Sequence, residues 1–260
     1  MKNKIAILGA GAYGTALGMI LASNGFDVDY YDPNKEREKL TDVVLGTSYV
    51  VLCTPSNVAL RLLPFLPKEV PLIVASKGFL VRDYFDKFMK WMIFSGPGYA
   101  EDLKNSKKIK ITITDKCLEE IFSARNLSFD YTDDKIGVLL CGALKNVYAI
   151  MAGYLGLSYG SDKWSDYIMS VSSEIRTILS LNGADSDTFS HSCGKNDLML
   201  TCNTPSRNYD FGKKLKKGVI DKNNQTIEGI TVLNRIKRGE IMIPSDAVYL
   251  RDLMKMSFYK

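Results

Sequence analysis

Five short apolar runs, KIAIL (4–8), VDYY (28–31), YVVLC (49–53), PLIVA (71–75) and WMIFS (91–95), recur through the first part of the chain. Polar-faced helical stretches at 14–24, 33–42 and 56–64 lie between them. Strands buried on both faces read as unbroken apolar runs, and helices between consecutive strands are the crossovers that parallel pairing requires. The pattern therefore predicts an α/β domain with a doubly wound, mostly parallel sheet. Two further runs, IKITIT (109–114) and LSFDYT (127–132), flank a helical segment near 116–124 and extend the sheet. Beyond residue 133 the strand signal stops and the periodicity becomes helical. The expected organisation is a domain over 1–133 followed by an all-helical domain over 134–260, joined by a long helix that begins near Lys135.

The chain of 260 residues is 46% hydrophobic and 24% charged, the composition of an ordered protein with a full core. Its longest apolar run, 136–157, is broken by Lys145, Asn146 and several glycines, so a core helix is expected there and no membrane span. The N-terminus runs straight into a strand with no signal-peptide pattern, which predicts a cytoplasmic protein. Five scattered cysteines without a C-x-x-C pair read as free thiols, and one histidine, His191, supports neither a metal cluster nor a histidine-based triad. His191 is expected in a surface loop. The net charge of +5 suits small anionic ligands. No aromatic and basic platform for nucleic acid is apparent.

GAGAYG, Gly9 to Gly14, follows the first strand and opens a helix that closes at Asn24-Gly25. In that context Gly9 permits the tight turn, Gly11 lets the backbone approach a pyrophosphate, and Gly14 lets helix and strand pack closely. Asp32 stands at the end of the second strand, where a carboxylate binds ribose hydroxyls and repels a 2′-phosphate. A Rossmann domain that binds NAD is expected, with NADP as the alternative because Lys35 and Arg37 are near. A plain glycine turn with a capping aspartate before Pro33 would look the same locally. Three more strand ends, CTPS (53–56), ASKGF (75–79) and SGPGYA (95–100), are predicted at the same sheet edge, with Lys77 just past the fourth strand.

In the second half, GALKNVYAI (142–150) sets Lys145 inside an otherwise apolar helix, where an ammonium must snorkel, find a carboxylate or lose its proton. GLSYG (156–160), DLMLTC (197–202), SRNYDFG (206–212) and IEGI (227–230) follow. Together with GAGAYGTAL, SKG and SGP-x-x-A, their order and spacing resemble the NAD(P)-dependent glycerol-3-phosphate dehydrogenase family across nearly the whole chain. The resemblance implies interconversion of dihydroxyacetone phosphate and glycerol 3-phosphate by hydride transfer, feeding glycerophospholipid synthesis. It implies catalytic roles for Lys145 and Asp197, and substrate contacts from Lys77, Gly96, Gly98, Thr201, Ser206, Arg207 and Asn208. It implies cofactor contacts from Gly9, Gly11, Ala12, Tyr13, Gly14, Asp32, Lys77, Ala100, Arg207 and Glu228, and it is compatible with a homodimer.

Growing charge on a carbonyl oxygen needs a proton or a cation, which Lys145 can supply and Asp197 can steady. A phosphorylated substrate needs an anchor, and Ser206-Arg207-Asn208 at a helix start offers a hydroxyl, a guanidinium and free amides. By residue type alone, Ser206 is an N-cap and Arg207 a solvated charge. The chain departs from the family in three places, one of them a compressed C-terminal half in which the helices before RGEIMIPSDAVYLRDL (238–253) are short. Only 16 residues separate Asp32 from Tyr49, without the usual Leu-Pro-Gly loop, and Asp162 stands where the family has asparagine. Two rivals are a dehydrogenase of another small acid, of the hydroxyisobutyrate or ketopantoate type, and a non-catalytic NAD-binding module.

Overall fold

The computed structural model describes residues 3–34, 39–78, 85–105, 107–203, 206–219 and 227–256. The chain divides into two compact units, Met1–Ser76 with Val81–Lys135 and Lys77–Leu80 with Ile136–Lys260.

The first unit is built on a seven-stranded sheet. Its strands are β1 (Lys4–Leu8), β2 (Asp27–Tyr31), β3 (Tyr49–Leu52), β4 (Leu72–Val74), β5 (Trp91–Ser95), β6 (Ile109–Ile113) and β7 (Leu127–Tyr131), in the spatial order β2-β1-β3-β4-β5-β6-β7. Every pairing is parallel except β5 with β6. Strands β4 and β5 are buried throughout, whereas the edge strands β2 and β7 keep exposed positions, as expected when the centre of the sheet is covered on both faces. Helix α1 (Ala12–Ser23) lays Ala16, Leu17, Ile20 and Leu21 into a core shared with Ile5, Ile7, Met92 and Phe94. Each such large aliphatic side chain, fully buried, contributes roughly 1.5–3 kcal/mol.

Helices α2 (Leu40–Val44), α3 (Ser56–Leu62), α4 (Ala100–Lys104) and α5 (Cys117–Ile121) also belong to this unit. The helix expected over 33–42 falls in large part on residues 35–38, outside the described residues. Asp32 Oδ1 accepts the Asn34 N–H at 3.0 Å in a local turn, and among the described residues of this stretch helix is found at Leu40–Val44. Lys35 and Arg37 lie outside the described residues.

The second unit is helical: α6 (Lys135–Leu155), α7 (Asp162–Leu181), α8 (Asp197–Thr201), α9 (Arg207–Lys216), α10 (Glu228–Lys237) and α11 (Val248–Lys255). A 3-10 turn at Ser186–Ser190 and a π-helical turn at Ser192–Asn196 precede α8. Among the described residues only α6 has the length and apolarity of a membrane span, and 94% of its apolar window is buried inside the protein. It is the central core helix, buried without a break from Gly137 to Gly153.

Neighbours approach α6 to backbone contact. A Cβ on Gly153 would lie 1.9 Å from the Tyr209 oxygen, one on Gly212 2.0 Å from the Ile150 oxygen, and one on Gly229 2.6 Å from the Asn146 oxygen. The polar tips sent into this core are satisfied: Tyr148 Oη donates to Glu174 Oε1 at 2.7 Å, Tyr167 Oη to the Tyr148 carbonyl at 2.7 Å, and Trp164 Nε1 to the Cys202 carbonyl at 3.1 Å.

Candidate active site

Lys145 occupies the middle of α6, and its side chain is 5% exposed. Its Nζ lies 2.5 Å from Asp197 Oδ1, and Asp197 is 1% exposed at the first position of α8. The second oxygen of the same carboxylate, Oδ2, accepts from Lys77 Nζ at 2.9 Å. One buried anion thus bridges two ammoniums. Desolvation pushes Lys145 down to about 7, Asp197 opposes that shift, and the Lys77 charge adds to it. An amine poised there can hold or release a proton near neutrality, which an exposed lysine cannot.

The Thr201 hydroxyl donates to the Asp197 carbonyl at 2.6 Å within α8. Ser206 is the N-cap of α9, its Oγ accepting from the Tyr209 N–H at 3.4 Å. Arg207, the first residue of α9, is exposed and has no ion pair among the described residues. Asn208 is buried and committed to its neighbours: Nδ2 donates to Asn146 Oδ1 at 2.9 Å and Oδ1 accepts from the Gly229 N–H at 3.1 Å. Glu228 begins α10 beside Gly229 and is half-buried.

In the first unit the parallel register carries Gly9, Thr54 and Ser76 to one edge of the sheet, beyond the carboxyl ends of β1, β3 and β4. The Gly9 N–H donates to the Tyr31 carbonyl at 2.8 Å, so Asp32 follows immediately beside the glycine turn. The three motif glycines separate by role. Gly9 has φ +116° and its missing Cβ faces the Cys53–Thr54 backbone at 2.9 Å, while a Cβ on Gly14 would stand 2.0 Å from the Gly9 oxygen. Both are demanded by the chain itself. Gly11 is exposed, and a Cβ there would meet nothing within 4 Å. Ala12 is exposed, Tyr13 packs against the core, and the α1 N-terminus has no side-chain cap. The Thr54 hydroxyl at this edge is buried without a hydrogen-bond partner. A dinucleotide fits this arrangement: open N–H groups for its phosphates and a carboxylate for its ribose.

Gly96 and Gly98 also have internal reasons. A Cβ on Gly96 would press to 3.1 Å on Ile111 Cα, and Gly98 takes φ +148°. Ala100 is the first residue of α4 and packs against the sheet core.

Comparison with known proteins agrees with this geometry. The family model "NAD-dependent glycerol-3-phosphate dehydrogenase C-terminus" matches residues 134–242, and its N-terminus counterpart matches residues 4–41. A glycerol-3-phosphate dehydrogenase [NAD(P)+] of Leptospira biflexa is 31% identical, covering 87% of this chain and 85% of its own. The chain belongs to the NAD-dependent glycerol-3-phosphate dehydrogenase family. The Bacillus velezensis relative of the same name is 28% identical over 88% of this chain and 82% of its own. The crystal structure of glycerol-3-phosphate dehydrogenase from Coxiella burnetii shares the fold, with TM-score 0.79 and 24% identity over 98% of this chain and 99% of that one.

Several features of this glycerol-3-phosphate dehydrogenase family member escape a reading by residue type. Asn146, next to Lys145, donates through Nδ2 to the Gly142 carbonyl at 3.1 Å and links Asn208 to α6. The adjacent Lys-Asn pair was its only signal. The π-helical turn before Asp197 had no signal beyond a glycine, Gly194. His191, expected in a surface loop, is half-buried between the 3-10 and π-helical turns. Asp162 is the exposed first residue of α7, capped by Ser161, where a carboxylate complements the positive helix end.

Proposed function

We propose that the protein reduces dihydroxyacetone phosphate to glycerol 3-phosphate and catalyses the reverse reaction, with Lys145 as the proton donor. The observation that carries this reading is the carboxylate of Asp197 shared between Lys145 and Lys77 in a dry setting, with Lys145 brought to about 7. A general acid works best when its pKa lies near the working pH, and this lysine meets that condition. A nicotinamide cofactor supplies the hydride when bound.

Lys145 Nζ holds the proton that the carbonyl oxygen takes up as charge develops on it. Asp197 keeps the amine oriented and partly offsets its desolvation. Lys77 and the exposed guanidinium of Arg207 supply positive charge for a phosphorylated substrate, and Ser206 and Asn208 fix the helix start from which Arg207 projects. Gly9, Gly11, Ala12, Tyr13, Gly14 and Asp32 hold the dinucleotide, with Ala100, Arg207 and Glu228 as further contacts that the family supports. The Asp32 carboxylate disfavours a 2′-phosphate, so NADH is the better partner than NADPH.

The test follows absorbance of the reduced nicotinamide with and without dihydroxyacetone phosphate, using NADH and NADPH in turn. Ketone-dependent oxidation with a lower KM for NADH is expected. Oxidation that responds to an unphosphorylated hydroxy-acid precursor and not to dihydroxyacetone phosphate would move the assignment to another substrate. An equal or lower KM for NADPH would remove the role given to Asp32.

A further inference from the structure

Asp197 is reached through an uncommon stretch of backbone. The π-helical turn Ser192–Asn196 runs directly into α8, whose first residue is Asp197. Such turns insert an extra residue into helical register and recur where a functional side chain has to be aimed. This one is moulded against a neighbour. A Cβ on Gly194 would lie 2.3 Å from the carbonyl oxygen of Phe189 and 2.6 Å from its Cα, contacts with backbone that no side-chain rotation can relieve.

Phe189 belongs to the preceding 3-10 turn and is 2% exposed. That turn is gripped from α7 by Arg176: Nη1 donates to the Ser186 carbonyl at 2.8 Å and to Asp187 Oδ1 at 3.0 Å, Nη2 donates to Ser190 Oγ at 2.7 Å, and the guanidinium lies 5.3 Å from the centre of the Phe189 ring. A planar donor that engages three acceptors and a ring fixes a turn in a way a lysine cannot.

We propose that Arg176, Phe189 and Gly194 form a positioning relay that holds the Asp197 carboxylate between Lys145 and Lys77. The relay touches neither substrate nor cofactor, and it rests on the reading of Lys145 as proton donor. Both oxygens of Asp197 are engaged, at 2.5 and 2.9 Å, so a shift of α8 must lengthen at least one of the two contacts. Among the described residues the ionisable groups that face Lys145 are Asp197, Lys77 and Cys202, whose thiol is held neutral by burial. Of these only Asp197 favours the ammonium. Moving it away lets Lys145 lose its proton at lower pH, and the alkaline limb of the reduction profile moves down with it.

The experiment measures kcat against pH for the intact protein with saturating NADH and dihydroxyacetone phosphate, after circular dichroism shows each variant folded. Arg176→Ala and Gly194→Ala are expected to lower kcat about tenfold with little change in KM for NADH. Both are expected to move the alkaline limb to lower pH, with Arg176→Lys restoring part of each effect. Should Gly194→Ala fail to fold, Arg176→Ala decides. A folded Arg176→Ala protein with normal kcat overturns the relay. So does a reduced kcat with an unmoved limb, since a general structural loss lowers turnover without retuning the acid. Lys145→Met in the same assay keeps the two ideas apart: turnover retained there removes the proton-donor reading itself, whereas an inactive Lys145→Met beside an unaffected Arg176→Ala removes only the relay.

Discussion

The Lys145 ammonium and the Asp197 carboxylate meet at 2.5 Å with side chains 5% and 1% exposed, and Lys77 reaches the other oxygen of the same carboxylate at 2.9 Å. Its stability is therefore lopsided. Lys145→Met leaves Asp197 paired with Lys77. Asp197→Asn removes the carboxylate that both ammoniums share. Removing one member of a buried pair costs roughly 3–5 kcal/mol where it leaves an uncompensated charge, which Asp197→Asn does for Lys145 and Lys145→Met does not do for Asp197 while Lys77 stays on it. Urea unfolding at neutral pH should find Lys145→Met at least as stable as the parent and Asp197→Asn well below it. The opposite order would mean that the pair is held for stability, with no cost accepted for chemistry.

The same lysine sets a pH dependence of the fold. Its ordinary value is 10.5 and in the folded protein it lies at about 7, so between these values the unfolded chain binds the extra proton. Stability from this group accordingly rises with pH through that window, is complete above 10.5, and is lost as pH falls through about 7. The slope should be visible as a difference between the parent protein and Lys145→Met in unfolding experiments across neutral to alkaline pH. Parallel curves for the two proteins would show that Lys145 titrates like a solvated lysine.

The motif glycines yield a sharper contrast. A methyl on Gly14 collides with the Gly9 oxygen at 2.0 Å, while one on Gly11 meets open space. Gly14→Ala is expected to destabilise the fold by about 1–3 kcal/mol, in the manner of an overpacked core. Gly11→Ala should unfold like the parent yet bind NADH at least tenfold more weakly, on the order of 1.4 kcal/mol. Fluorescence titration with NADH reads that loss without any turnover. Parent-like affinity in Gly11→Ala would place the dinucleotide elsewhere.

The architecture was legible because parallel strands are spelled as apolar runs: KIAIL and WMIFS became β1 and β5 to the residue, and the long helix starts at Lys135 as expected. The Lys145 question was legible too, since an ammonium in an apolar helix demands a partner. Other features depend on non-local contacts that no window of sequence contains. The antiparallel pairing of β6 with β5 brings Gly96 close against the Ile111 backbone. The carboxylate that Lys77 shares with Lys145 lies 120 residues away from it. Glycines 153, 212 and 229 carry no mark in sequence to show that they are backbone contacts of α6.

Asn208 tests how the helix starts of the second unit are organised. Its amide accepts from the Gly229 N–H at 3.1 Å and donates to Asn146 Oδ1 at 2.9 Å, and Asn146 in turn donates to the Gly142 carbonyl at 3.1 Å. The side chain thereby fastens the starts of α9 and α10 to the turn of α6 that bears Lys145. Asn208→Ala leaves a buried donor on Gly229 and a buried acceptor on Asn146 unpaired, each costing about 1–3 kcal/mol. Loss of stability by urea unfolding should therefore accompany any rise in KM for the ketone. Were Asn208 only a contact for substrate, KM would rise while the unfolding midpoint stayed where it was, and the bridge between the helices would carry no energy.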